Sequence, residues 1–130
     1  METMQTYELE MLPYELAICR LGTDEDAPAW AFRSEFFSLT RTKDELSVVC
    51  PQDQVPPEAK QSGGWRCLKL RGPLDFDQVG VLKSLTQPLA DAGISIFAVS
   101  TYETDYILLR ANDIKSAISA LRKAGHRVEY

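Results

Sequence analysis

Histidine is almost missing from this chain: its 130 residues carry only His126. Without a second base, a serine or cysteine nucleophile has nothing to activate it, and general acid–base chemistry loses its commonest side chain. Cysteine is scarce too. Cys19, Cys50 and Cys67 form no CxxC pair and each lies in an apolar strand pattern, so they are expected as reduced core residues rather than metal or redox groups. No P-loop, GxGxxG or HExxH sequence is present, which leaves no expected cofactor, metal site or catalytic constellation, and the chain is expected not to be an enzyme. Apolar runs stay far below the ~20 residues of a membrane span. Residues 1–7 include Glu2 and lack a basic start followed by an apolar stretch, so no signal peptide is expected and a cytoplasmic location is the default. Lysine and arginine form no run, and the net charge is −5, which argues against nucleic acid as a partner.

What the chain does have is an internal repeat. Phe37, Leu39, Thr40, Val48, Val49 and Asp53 recur sixty residues on, without a gap, as Phe97, Val99, Ser100, Leu108, Leu109 and Asp113. Upstream the offset shortens to fifty, where Ile18 and Gly22 match Leu68 and Gly72, so the first copy is about ten residues shorter. The chain is too short for two ordinary independent domains. The spacing predicts a degenerate N-terminal unit over residues 1–62 and a complete C-terminal unit over residues 63–130.

In the second copy the expected order is β-α-β-β-α-β. A strand at Trp65–Arg71 follows the Gly63-Gly64 turn and ends at Gly72-Pro73. A helix then starts at Asp75, with Gln78 at capping-box spacing, and carries Val79, Leu82, Leu85 and Leu89 on one face; Pro88 is expected to loosen its last turn. Ile94–Thr101, apolar almost throughout, is expected as a strand buried on both faces or in the centre of a sheet, and Asp105–Ala111 as its hairpin partner. A second helix buries Ile114, Ala117, Ile118, Leu121 and Ala124. A short final strand follows, with His126 expected at the surface or as a C-cap at the junction. Two crossover helices on one side of an antiparallel sheet make a ferredoxin-like α+β fold. The first copy has room for at most two helical turns, through Trp30 and Phe32, after an acidic cluster, Asp24–Asp26, placed at their start.

Two loops could carry recognition. Gly72, Pro73, Leu74, Asp75 and Phe76 join a strand end to a helix start, where free backbone N–H groups can receive a carboxylate, although a tight turn and an N-cap explain them equally well. Ser100, Thr101, Tyr102, Glu103, Thr104 and Asp105 crowd hydroxyls and two carboxylates into a hairpin turn, which is equally accounted for as a solvated turn.

The run Gly93-Ile94-Ser95-Ile96-Phe97-Ala98-Val99-Ser100-Thr101-Tyr102-Glu103-Thr104-Asp105-Tyr106-Ile107-Leu108-Leu109, preceded by Gly72–Phe76, resembles the second ACT domain of small bacterial double-ACT proteins. Phe36–Thr42 and Glu45–Pro51 resemble their first, and the likeness runs from Tyr14 to Val128. These proteins are similar to halves of CASTOR-type arginine sensors and to aspartate kinase regulatory regions. The resemblance implies tandem ACT domains and a small-molecule ligand of amino-acid type held at an interface between ACT units; the apolar central strand and the sheet edge it implies make a homodimer the expectation, and a metabolic enzyme is the further partner considered. On this chain the implied contacts are Gly72–Phe76 and Ser100–Asp105. Backbone donors near Asp75 and Phe76 would take the α-carboxylate, Asp75, Glu103 or Asp105 the ammonium, and the hydroxyls of Ser100, Thr101 and Thr104 would complete the shell. The alternative expectation is a ligand-free ACT-like module that dimerises and binds an enzyme.

Overall fold

The structure is a computed structural model that describes residues 5–74 and 78–130. Two compact units emerge: residues 14–65, and residues 1–13 together with 66–130. Strand β5 (Gln61–Leu70) runs through the boundary and gives its first half to one unit and its second half to the other.

In the C-terminal unit the described elements are β1 (Glu8–Met11), the second half of β5, α1 (Val81–Asp91), β6 (Ile96–Ser100), β7 (Asp105–Arg110), α2 (Ile114–Lys123) and β8 (Arg127–Glu129). From β5 onward the order is β-α-β-β-α-β as expected, and β1 adds a further strand. Strand β7 pairs with β6 and with β5, and β1 lies between β5 and β8, antiparallel to the first and parallel to the second. The expected division at residues 62 and 63 therefore differs from the observed one. Residues 5–13 join the C-terminal unit because Leu9 sits opposite both Leu70 and Val128, putting three aliphatic side chains of adjacent strands on one face. Against that face pack Val81, Leu85 and Leu89 of α1, Ala117, Ile118 and Leu121 of α2, and Ile107 and Leu109 of β7, all buried. On the other face of these strands Arg71 bonds the carboxylates of Glu8 (2.9 Å) and Glu129 (2.6 Å), partly exposed pairs that contribute little each.

The N-terminal unit pairs β2 (Leu16–Leu21) with β4 (Leu46–Pro51) and with the start of β5, and β4 with β3 (Ser38–Arg41). Ala17 and Cys19 lie opposite Cys50 and Val48, and this layer packs on Ala31 of a single 3-10 turn, Ala29–Phe32. The helix of the other unit is reduced here to that turn, as its missing residues demand. The acidic cluster sits in the preceding loop rather than at a helix start. Arg41 holds that loop by donating to the carbonyls of Thr23 and Glu25.

Several expectations need correction. Gly63-Gly64 is not a turn before a strand. The pair lies inside β5, where the register with β2 slips between Leu16 and Ile18 and Gly64 adopts φ +75°, a glycine bulge. Strand β6 is an edge strand, half-exposed, rather than buried on both faces. Helix α1 starts at Val81, not at Asp75, because Gly80 takes φ +81° as its N-cap. The shift rotates the apolar stripe to Val81, Leu85 and Leu89; Val79 is 93% exposed and Leu82 lies partly outside.

His126 is buried at 3%, not at the surface. Its placement follows from Pro88. Proline has no N–H, so the Ser84 carbonyl four residues earlier loses its helical partner. The His126 imidazole donates Nε2–H to that carbonyl (3.0 Å), while Nδ1 accepts the Tyr7 N–H (3.1 Å). The Tyr7 ring stacks on the imidazole with centroids 5.8 Å apart. Helix α1 runs on through Pro88 to Asp91, and one side chain joins it to the start of β1.

Candidate functional site

The two loops singled out in the sequence meet. Strand β5 ends at Leu70, and the chain passes through Gly72 and a cis Gly72-Pro73 bond beneath the β6–β7 turn. A Cβ on Gly72 would stand 2.9 Å from the Glu103 carbonyl oxygen and 3.1 Å from the Thr104 Cβ, so only glycine allows this approach. The Leu74 N–H donates to the Glu103 carbonyl (2.7 Å), and the Thr104 hydroxyl donates to the Leu70 carbonyl (2.6 Å) from a 5% exposed position.

Inside the turn, the Thr101 N–H and hydroxyl both donate to the Thr104 carbonyl (2.8 and 3.1 Å), and the Thr104 N–H donates back to the Thr101 hydroxyl (3.3 Å). Ser100, closing β6, donates its hydroxyl to the carboxylate of Asp105, which opens β7. The turn is thus internally bonded and pinned to the β5 end, a rigid support rather than a loose loop.

Above it lies a cleft of ≈ 390 Å³, lined by Leu74, Ser100 to Asp105, and Gln78 with Gly80, Val81 and Leu82. That volume falls within the range of small-molecule sites, about 300–1,000 Å³. Of the residues expected to bind, Leu74, Ser100, Thr101, Tyr102, Glu103, Thr104 and Asp105 face it together. Gly72 and Pro73 do not line it and instead let the turn pack down. Asp75 and Phe76 lie outside the described residues.

The start of α1 is the part that sequence reasoning missed. Gly80 provides no side-chain cap, the first turn has no acidic residue, and Gly80, Val81 and Leu82 line the cleft, which brings the positive end of the helix dipole to it. The legible signal was Gly80 itself, six residues into an assumed helix and able to supply the positive φ of a break. Glu103 and Asp105 also line the cleft. A cleft lined by both a helix start and two acidic residues suits a zwitterion. No group of metal-ligating side chains occurs among the described residues.

An antiparallel hairpin and two helices on one face of the sheet are the architecture of an ACT-type ferredoxin-like module. A family model described as an ACT domain matches residues 61–123, and a second, described as an N-terminal domain, matches residues 14–58. The chain belongs to the ACT-domain family. It is similar to the human cytosolic arginine sensor for mTORC1 subunit 1, with 37% identity over 96 residues, covering 68% of this chain and 29% of that protein. The chain thus spans about a third of the length of such sensors. Among solved structures it is similar to a protein from Agrobacterium tumefaciens, with TM-score 0.91 and 41% identity over 96% of this chain and 93% of that one. The ligand-free regulatory subunit of aspartate kinase from Thermus thermophilus shares the fold at TM-score 0.60 and 13% identity, covering 85% and 93% of the two chains.

Proposed function

We propose that this protein is a cytosolic sensor or regulatory module for a free amino acid, bound in the cleft between the start of α1 and the β6–β7 turn, and that it performs no catalysis. The observation that carries the proposal is the polarity of the cleft. An α-carboxylate placed at the uncapped start of α1 receives the Val81 and Leu82 N–H groups, and the α-ammonium faces Asp105, with Glu103 beside it. The hydroxyls of Ser100 and Thr101 complete the polar wall. The names of the relatives agree in kind: one senses arginine in the cytosol, and others regulate aspartate kinase.

Tyr102, 80% exposed, and the partly exposed Leu82 give the cleft an apolar rim. An apolar rim of this kind is suited to closure by a second copy, which places the ligand at an interface between ACT units of a homodimer. Ligand binding then acts by favouring the closed association over the open one, the only way a ligand can move such an equilibrium. The regulated target in this reading is an amino-acid metabolic enzyme.

Thermal unfolding against the twenty amino acids and several nucleotides tests the proposal. At a ligand concentration one hundred times Kd the folded state gains about 2.7 kcal/mol, a rise of roughly 10 °C for a chain of this size. Asp105→Asn keeps an oxygen to accept from Ser100 while removing the charge, and it is expected to abolish the rise. If no compound raises the melting temperature, the protein is a ligand-free interaction module instead.

A further inference from the structure

A second hollow lies in the C-terminal unit, sharing no residue with the cleft. It has a volume of ≈ 720 Å³; Met11, Ile114, Ile118 and Tyr130 form its apolar surface, and Lys115, Arg122 and Lys123 stand around it. We propose that this hollow is a separate binding site for a small amphiphilic anion, a single carboxylate or phosphate carried on an extended apolar body.

Three observations converge on that chemistry. The first is charge distribution. From Ile114 to Arg127 the chain has Lys115, Arg122, Lys123 and Arg127 and no Asp or Glu, although acidic residues outnumber basic ones 19 to 14 in the whole protein. An acidic protein that keeps one helix free of acid presents a local positive field that selects anions.

The second is the state of those cations. Arg127 has a partner in Glu8, but among the described residues neither Lys115 nor Lys123 enters an ion pair. They recur at helical spacing on one side of α2, with Ser119 between them on the same side. Arg122 is already held in place: its guanidinium donates to the Val128 carbonyl (2.8 Å) and lies 5.1 Å over the Tyr130 ring. Of five guanidinium N–H groups, that bond uses one, and a fixed cation is pre-organised for an incoming anion.

The third is shape. The apolar residues come from α2 on one side and from Met11 and Tyr130 on the other, so they form a bounded trough of small-molecule size rather than a flat patch. A single anionic head between Lys115, Arg122 and Lys123 leaves its chain to cover Ile114, Ile118 and Met11. A polar metabolite would leave that surface wet, and an uncharged lipid would leave the lysines without a counter-charge.

Monomeric dodecanoate, titrated calorimetrically into the full chain below its micellar concentration, is the test. The expected result is one molecule bound per chain, affinity falling with added salt, and no binding of acetate, dodecanol or dodecyltrimethylammonium. Dodecyl phosphate is expected to bind as well, since the two heads share the same chemistry. Lys115→Glu combined with Lys123→Glu, both exposed positions that leave the core intact, is expected to weaken binding about tenfold or more at low ionic strength. Tyr130→Ala is expected to weaken it through the apolar wall while leaving the amino-acid response of the other cleft unchanged. Equal affinity for the cationic amphiphile, or affinity indifferent to the double charge reversal in a variant with unchanged circular dichroism, overturns the proposal. Binding to phosphatidylglycerol vesicles without binding of monomeric dodecanoate overturns it in favour of a membrane surface. Binding of neither overturns it outright.

Discussion

Replacing His126 with alanine reaches the joint between α1 and β1. The imidazole serves two backbone groups, the Ser84 carbonyl and the Tyr7 N–H, and it is buried. Each orphaned group costs about 1–1.5 kcal/mol, and the lost ring contact with Tyr7 adds about 1 kcal/mol. His126→Ala is therefore expected to cost about 3–4 kcal/mol, read as a lowered urea midpoint and a melting temperature lower by roughly 10–15 °C. The reasoning makes a sharper demand through Pro88. Pro88→Ala restores an N–H that can reach Ser84 from within the helix, so His126 then has one group fewer to serve. The cost of His126→Ala in that background is expected to fall by about 1 kcal/mol, an energy that a double-mutant cycle isolates. An equal cost in both backgrounds would show that the histidine does not compensate for the proline, and the account of this joint would be wrong.

Thr104→Val keeps the shape of the side chain but removes the hydroxyl that donates to the Leu70 carbonyl; it is expected to cost about 1–2 kcal/mol in chemical denaturation and to weaken amino-acid binding, while Thr104→Ser retains most of both. Gly72→Ala drives a Cβ against the Glu103 carbonyl and is expected to cost about 1–3 kcal/mol by the same assay, with the β6–β7 turn pushed from its seat. Burial pushes the Cys67 thiol up to about 12, from an ordinary value of 9.0. Between those values the folded chain keeps a proton that the unfolded chain has lost, so stability falls as pH rises from about 9 to about 12. Cys67 contributes on the order of 1 kcal/mol per pH unit to that loss, and its contribution is expected to be missing from Cys67→Ala. The same thiol should resist iodoacetamide in the folded protein at pH 8 and react on unfolding.

Much of the fold was legible because the apolar pattern repeats. The order of strands and helices in the C-terminal unit follows from alternation and helical spacing, and α2 buries Ala117, Ile118 and Leu121 as the pattern requires. What was not legible depends on partners distant in sequence. Nothing in Glu8–Met11 says that it will pair with residues sixty positions on and with the end of the chain, since a strand of four residues acquires its neighbours only through tertiary packing. His126 looked peripheral because the carbonyl it serves lies 42 residues earlier and is free only through Pro88. The start of α1 was misplaced because Asp75 with Gln78 imitates a capping box, whereas Gly80 breaks the helical path after it.

For the candidate site, the Ser100–Asp105 turn was recognisable from its concentration of hydroxyls and carboxylates, and Gly72 from its place at a strand end. The first turn of α1 was not, since its place beside the cleft depends on where the helix begins.

The most direct test of the central claim is an amide-resolved NMR titration of the protein with the amino acid that most raises its melting temperature. The account predicts saturable shifts concentrated at Gly80, Val81, Leu82 and Lys83 and at Ser100 to Asp105, with the largest change at the start of α1, where the carboxylate arrives. Saturable binding whose shifts avoid both segments would contradict it.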